Sequence, residues 1–132
     1  MAHNRILLAD DDMEDRLIIS DSFRDIGHLD CIMFVENGEE VMQYLHTINE
    51  PAALPNLIVL DLNMPKMNGT ETLRALKNND KYRNIHVIIF STSVNDRERK
   101  QCMELGAADY VTKPVKYQES IEIANQFFKY TI

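Results

Sequence analysis

Polar groups that could act together stand at the ends of four apolar runs in this chain. Asp10-Asp11-Asp12 follows Ile6-Leu7-Leu8-Ala9, and Asp61 follows Leu57-Ile58-Val59-Leu60. Ser91-Thr92-Ser93 follows Val87-Ile88-Ile89-Phe90, and Lys113-Pro114 follows Asp109-Tyr110-Val111-Thr112. Carboxylates gathered this closely cannot all stay ionised without compensation. A divalent cation supplies it: magnesium takes one or two carboxylates, keeps several waters, and leaves positions free for a phosphoryl oxygen. The same ion would neutralise charge as an anionic phosphate approached an anionic nucleophile. Lys113 would neutralise a second oxygen, and the Ser91 hydroxyl would donate to a third. Each residue alone has an ordinary explanation. Acids favour a helix N-terminus, Asp61 precedes the Met64-Pro65 turn, and a lysine is usually solvated. Their coincidence at the ends of separate runs favours one combined site.

The elements that must position these groups are legible as alternating runs. The apolar runs, with Cys31-Ile32-Met33-Phe34-Val35 among them, are continuous rather than alternating, as in parallel strands covered on both faces. Between them lie segments with helical spacing. Ile19, Phe23 and Ile26 mark the first, and Gly27 stops it. Val41, Tyr44 and Leu45 mark the second, and Leu73 and Leu76 the third. Asn95 and Glu98 form a capping pair for the fourth, which ends at Leu105-Gly106, with Cys102, Met103 and Leu105 as its apolar anchors. Tyr117, Ile121, Ala124 and Phe128 mark the fifth. Strand and helix alternate five times, so right-handed crossovers give an α/β sandwich of three layers. Asn49 to Pro55 and Asn78 to Asn84 are longer polar loops, expected on the surface. Ligands of such a sheet bind outside the carboxyl ends of its strands, where strand order reverses.

Composition narrows the function. The 132 residues amount to one ordinary domain, expected to carry no output module. A net charge of −7 argues against nucleic acid as a partner. No apolar run approaches the ~18 residues of a membrane span. Met1-Ala2-His3-Asn4-Arg5 lacks a cleavable leader pattern, so the expected location is the cytoplasm. Cys31 and Cys102 lie far apart and form no C-x-x-C, which leaves them as reduced thiols.

Taken together, the chain from Arg5 to its last helix resembles the receiver domain of two-component response regulators. The resemblance rests on the acidic pair closing the first strand and on L-D-x-x-M-P-x-x-x-G from Leu60 to Gly69. It rests equally on the hydroxyl closing the fourth strand and on Lys113-Pro114. The polar segment before the fourth strand is similar to that of stand-alone receivers, including those paired with bacterial phytochromes. The fold this implies is the flavodoxin-like, doubly wound, five-stranded parallel sheet of order 2-1-3-4-5 with five helices, for which the chemotaxis receiver is a standard example.

Carried over by position, the resemblance implies that Asp61 is the phosphoacceptor. Asp11 would ligate Mg2+ directly, Asp10 mainly through water, Asp61 by its carboxylate, and Asn63 by its backbone carbonyl. Asp12 is assigned to helix capping rather than to the ion. Ser91 would be the switch hydroxyl and Tyr110 the switch aromatic. Thr92 stands where many receivers carry alanine and would restrict inward rotation of Tyr110. Lys113 would contact the phosphoryl group, with its bond to Pro114 cis.

The implied function is signal transduction by phosphoryl transfer from a phosphohistidine to Asp61, which switches protein contacts or passes the phosphoryl group on, with self-dephosphorylation past Asn63 and Ser93. This is a switch rather than a turnover enzyme. The implied partners are a sensor histidine kinase or histidine phosphotransfer protein, and a downstream protein docking on the face of the fourth helix, fifth strand and fifth helix. A second copy of the chain, forming a homodimer, is a further expected partner. Other functions fit less well. Aspartyl phosphatases carry D-x-D where this chain has Asp61-x-Asn63. A flavodoxin needs a phosphate loop rich in Gly, Ser and Thr, whereas Asp10-Asp11-Asp12 would repel phosphate. A histidine phosphotransfer module is a helical bundle without strands.

Overall fold

A computed structural model describes residues 4–132. The start of the segment read as leaderless, residues 1–3, lies outside the described residues. In chain order the main elements are β1 (Ile6–Ala9), α1 (Met13–Asp25), β2 (Ile32–Val35), α2 (Gly38–His46), β3 (Leu57–Leu60) and α3 (Gly69–Lys77). They continue with β4 (His86–Ser91), α4 (Asp96–Glu104), β5 (Asp109–Thr112) and α5 (Tyr117–Phe128). All strand pairs are parallel and the sheet order is β2-β1-β3-β4-β5. Among the described residues, no helix is long and apolar enough to cross a membrane.

The continuous apolar runs follow from burial on both faces. Alternate residues of each strand feed two separate cores. Leu7, Ala9, Ile58, Leu60, Val87 and Ile89 pack under α2, α3 and α4, against Val41, Leu45, Leu73, Leu76 and Cys102. Ile6, Leu8, Val59, Ile88 and Phe90 pack under α1 and α5, against Ile19, Phe23, Ile123, Ala124 and Phe127. Two small buried hydroxyls let those helices close: Ser22 Oγ donates to Ser120 Oγ at 2.8 Å.

Several sequence expectations shift in detail. The buried stripe of α5 is Ser120, Ile123, Ala124 and Phe127, not the one beginning at Tyr117, which is 46% exposed. Both stripes satisfy helical spacing, and hydrophobicity alone does not reveal that Ser120 is the close-packed residue. In α4 only Cys102 is buried; Met103 is exposed and does not anchor the helix. Asn95 caps α4 by accepting from Arg97 and Glu98 N–H groups, whereas Glu98 turns to the Ser93 hydroxyl instead of completing a box. The loop before β4 is polar, yet Tyr82 and Ile85 fold back into the core.

The β3–α3 connection fixes the site's geometry. Lys66 has φ of 66° and closes a γ-turn in which Met67 N–H donates to the Pro65 carbonyl at 2.6 Å. That backbone region is costly for a side chain other than glycine. Gly69 then passes so close to β3 that a Cβ there would lie 2.3 Å from the Asp61 carbonyl oxygen. The final G of L-D-x-x-M-P-x-x-x-G is therefore a packing requirement beneath Asp61. Gly69→Ala should lower stability by about 1–3 kcal/mol through overpacking, measured by denaturant midpoint; an unchanged midpoint contradicts this.

Candidate functional site

Strand register brings the acids together. Ala9 pairs with Leu60, so the residues that follow them, Asp10 and Asp61, emerge side by side where strand order reverses. Asp10 and Asp61 N–H groups donate to the Val35 and Ala9 carbonyls, each at 3.0 Å, extending the sheet to the site. Asp10 and Asp61 are buried and Asp11 is exposed. One carboxylate oxygen from each of Asp10, Asp11 and Asp61 can lie within 4.8 Å of the others. Three hard oxygen donors, two of them buried with limited compensation, fit a divalent ion that prefers oxygen.

Lys113 joins them from the other side. Its N–H donates to the Ser91 carbonyl at 2.8 Å, fixing the backbone just beyond β5. Its ammonium lies 2.7 Å from Asp10 Oδ2, 2.8 Å from Asp15 Oδ2 and 3.5 Å from Asp61 Oδ2. The stem is buried over Phe90, whose ring centroid is 5.8 Å from Nζ. Burial by itself would lower the Lys113 pKa, but the hydrogen bonds to Asp10 and Asp15 outweigh it and raise the value, so the ammonium stays charged. Burial raises the Asp10 carboxyl, opposed by Lys113 and the Asp12 N–H. Asp61 is raised to about 6, chiefly by burial; Lys113 opposes this, and Asp10 and Asp11 add to it.

The remaining predicted residues are placed as follows. Asp12 is the N-cap of α1, accepting from the Glu14 and Asp15 N–H groups. Asn63 is exposed, and its N–H lies 3.5 Å from Asp61 Oδ1. Ser91 is buried at the end of β4, and its Oγ accepts from Ser93 N–H at 3.1 Å. Tyr110 is buried, and its hydroxyl donates to the Ser93 carbonyl at 3.1 Å. Thr92 is exposed, beside the buried Ser91 at the end of β4. No peptide bond among the described residues is cis, so Lys113–Pro114 is trans, contrary to expectation. Trans is the lower-energy isomer by ~0.5–1 kcal/mol, and the ammonium reaches Asp10 without the change.

Sequence reasoning missed two residues. Asp15 supplies the second hydrogen bond to Lys113, and Arg16 Nη1 donates to the Asp10 carbonyl at 2.7 Å. An acid three residues after the N-cap reads as an ordinary first-turn acid. Its one distinguishing signal is that the first turn of α1 directly follows a site strand.

The comparisons with known proteins agree with this geometry. The family model for the response regulator receiver domain matches residues 6–125. The chain belongs to this receiver family. Solved relatives include the phosphorylated cyanobacterial phytochrome response regulator RcpA, which is 30% identical with a TM-score of 0.84, covering 98% of this chain and 94% of that one. The Mn2+-bound response regulator Rcp1 is 28% identical with a TM-score of 0.78, covering 92% of this receiver and 89% of that chain. The protein-glutamate methylesterase/protein-glutamine glutaminase of Bacillus subtilis (strain 168) is 34% identical over 112 residues, 83% of this receiver. The receiver spans only 29% of that relative's length. The flavodoxin-like sheet of order 2-1-3-4-5 and the place in two-component signalling are as the sequence led one to expect.

The Asp61 carboxyl makes stability depend on pH. Its folded value of about 6 lies above the ordinary 3.8, so between them the folded protein holds a proton that the unfolded chain releases. Without metal, stability therefore falls as pH rises through that window, by up to about 3 kcal/mol. Metal-free Asp61→Asn should melt above wild type near neutral pH, with the gap closing towards about pH 4. A variant that melts at or below wild type near neutral pH contradicts this.

Proposed function

We propose that this receiver accepts a phosphoryl group on Asp61 from the phosphohistidine of a sensor histidine kinase or histidine phosphotransfer protein. The observation that carries the reading is the buried Asp61 carboxylate set beside Asp10 and Asp11, with the Lys113 ammonium 3.5 Å away. An Asp61 oxygen attacks phosphorus in line as the imidazole nitrogen–phosphorus bond breaks. The imidazole leaves with that electron pair and takes a proton from solvent. Lys113 stabilises one phosphoryl oxygen and the Ser91 hydroxyl donates to another.

Asp10, Asp11, Asp61 and the Asn63 backbone carbonyl would hold Mg2+. When bound, the ion neutralises charge between nucleophile and phosphate. Rcp1, a relative with a bound Mn2+, supports a divalent ion of this class. Water later attacks the acyl phosphate at phosphorus, returning the Asp61 carboxylate and releasing inorganic phosphate. Asn63 and Ser93 flank that path, so appreciable self-dephosphorylation is expected under Mg2+; a phosphorylated lifetime of many hours contradicts this. The protein is a self-modifying cytoplasmic switch, not an enzyme acting on a separate small substrate.

Phosphorylation biases an existing equilibrium. Ser91, Thr92 and Tyr110 lie on the route from Asp61 to α4, and output passes through the face of α4, β5 and α5 to a downstream protein or a second copy of the chain. Only one α4 residue is buried, which suits a mobile face. The likeness to RcpA favours a photoreceptor kinase as donor.

Intact-mass measurement with a small phosphodonor and Mg2+ tests the reading. Wild type should gain one phosphoryl mass and Asp61→Asn none. No adduct on wild type, or an equal adduct on both, overturns it.

A further inference from the structure

The Lys113 ammonium has three N–H donors, and in this state two are taken. Asp10 holds one at 2.7 Å and Asp15 holds another at 2.8 Å, while Asp61 stands off at 3.5 Å. The two holding carboxylates differ in environment. The Asp10 side chain is 1% exposed, and releasing it would strand a buried charge. The Asp15 side chain is 31% exposed and lies on the first turn of α1, where water and the helix N-terminus can take over its charge. Asp15 makes no hydrogen bond that caps α1; that role belongs to Asp12. Asp15 is therefore the partner that can let go.

We propose that Asp15 is a positioning residue that holds Lys113 in the unphosphorylated state and yields it to the phosphoryl group on Asp61. The inference rests on the phosphoacceptor reading above. The ammonium bridges the first turn of α1 and the start of the β5–α5 loop, so its release uncouples the two. Breaking the hold takes part of the free energy of forming the phosphorylated state. Removing it makes that state easier to reach.

The test uses beryllofluoride, a phosphoryl mimic, with saturating Mg2+ and the full chain, read by titration calorimetry. Asp15→Asn should bind the mimic about fivefold more tightly than wild type, equivalent to about 1 kcal/mol, the size of a partly exposed ion pair. A general field effect is separated by Asp12→Asn, which also removes one acid from the turn yet still caps the helix. The clasp predicts a gain for Asp15→Asn alone, and Asp15→Glu should return the affinity towards wild type. Equal gains in Asp12→Asn and Asp15→Asn, or no gain in Asp15→Asn, overturn the inference while leaving the phosphoacceptor reading intact. A wild type that binds no mimic overturns both. Thermal melts of all three variants exclude loss through misfolding.

Discussion

Everything at the carboxyl rim of the sheet depends on balancing buried negative charge around one ammonium. Asp10, Asp15 and Asp61 converge on Lys113, Asp11 stands beside Asp10 and Asp61, and a single positive charge cannot neutralise four acids. Burial is the main cause that raises Asp61 and Asp10, the neighbouring acids add to it, and the hydrogen bonds to Asp10 and Asp15 hold Lys113 protonated. The same imbalance makes the site receptive to a cation, because each added positive charge relieves repulsion already present. Geometry enforces it: parallel pairing of β1 with β3 places the residues after Ala9 and Leu60 side by side, and Gly69 lets the following loop run against Asp61.

Most of this was legible in the sequence, for identifiable reasons. Five continuous apolar runs alternating with helical stripes leave few topologies, and polar residues at strand ends then locate the rim. Asp10, Asp11, Asp61 and Lys113 were therefore foreseeable as neighbours. Asp12 as a cap was foreseeable too, since it immediately precedes a helix. Asp15 was not, because its role depends on which way a helix leaves the strand and on the reach of a lysine 98 positions away. The α5 stripe was misplaced by its polar member Ser120, whose burial reflects pairing with Ser22 rather than hydrophobicity. The trans Lys113–Pro114 bond is a backbone detail that composition does not encode.

Away from the rim, the elements that would read the switch are held more lightly. α4 contributes Cys102 to the core and little else. Its N-terminal turn is tied back by the Ser93 hydroxyl donating to Glu98 at 2.6 Å, and the same residue's carbonyl accepts from Tyr110. Ser93 thus links the strand that ends at Ser91 to both α4 and β5. A change at Asp61 that moves this loop reaches the polar helix and the aromatic through hydrogen bonds rather than through the core.

Asp61, among several neighbouring acids, is the carboxylate proposed to form the acyl phosphate. Borohydride reduces an acyl phosphate to the corresponding alcohol, marking the carboxylate that carried the phosphoryl group. Protein phosphorylated with a small donor and Mg2+, reduced and mapped by peptide mass spectrometry, should carry the mark at position 61 alone. A mark at Asp10, Asp11 or Asp15, or no mark on a protein shown to carry the phosphoryl group, would contradict the account.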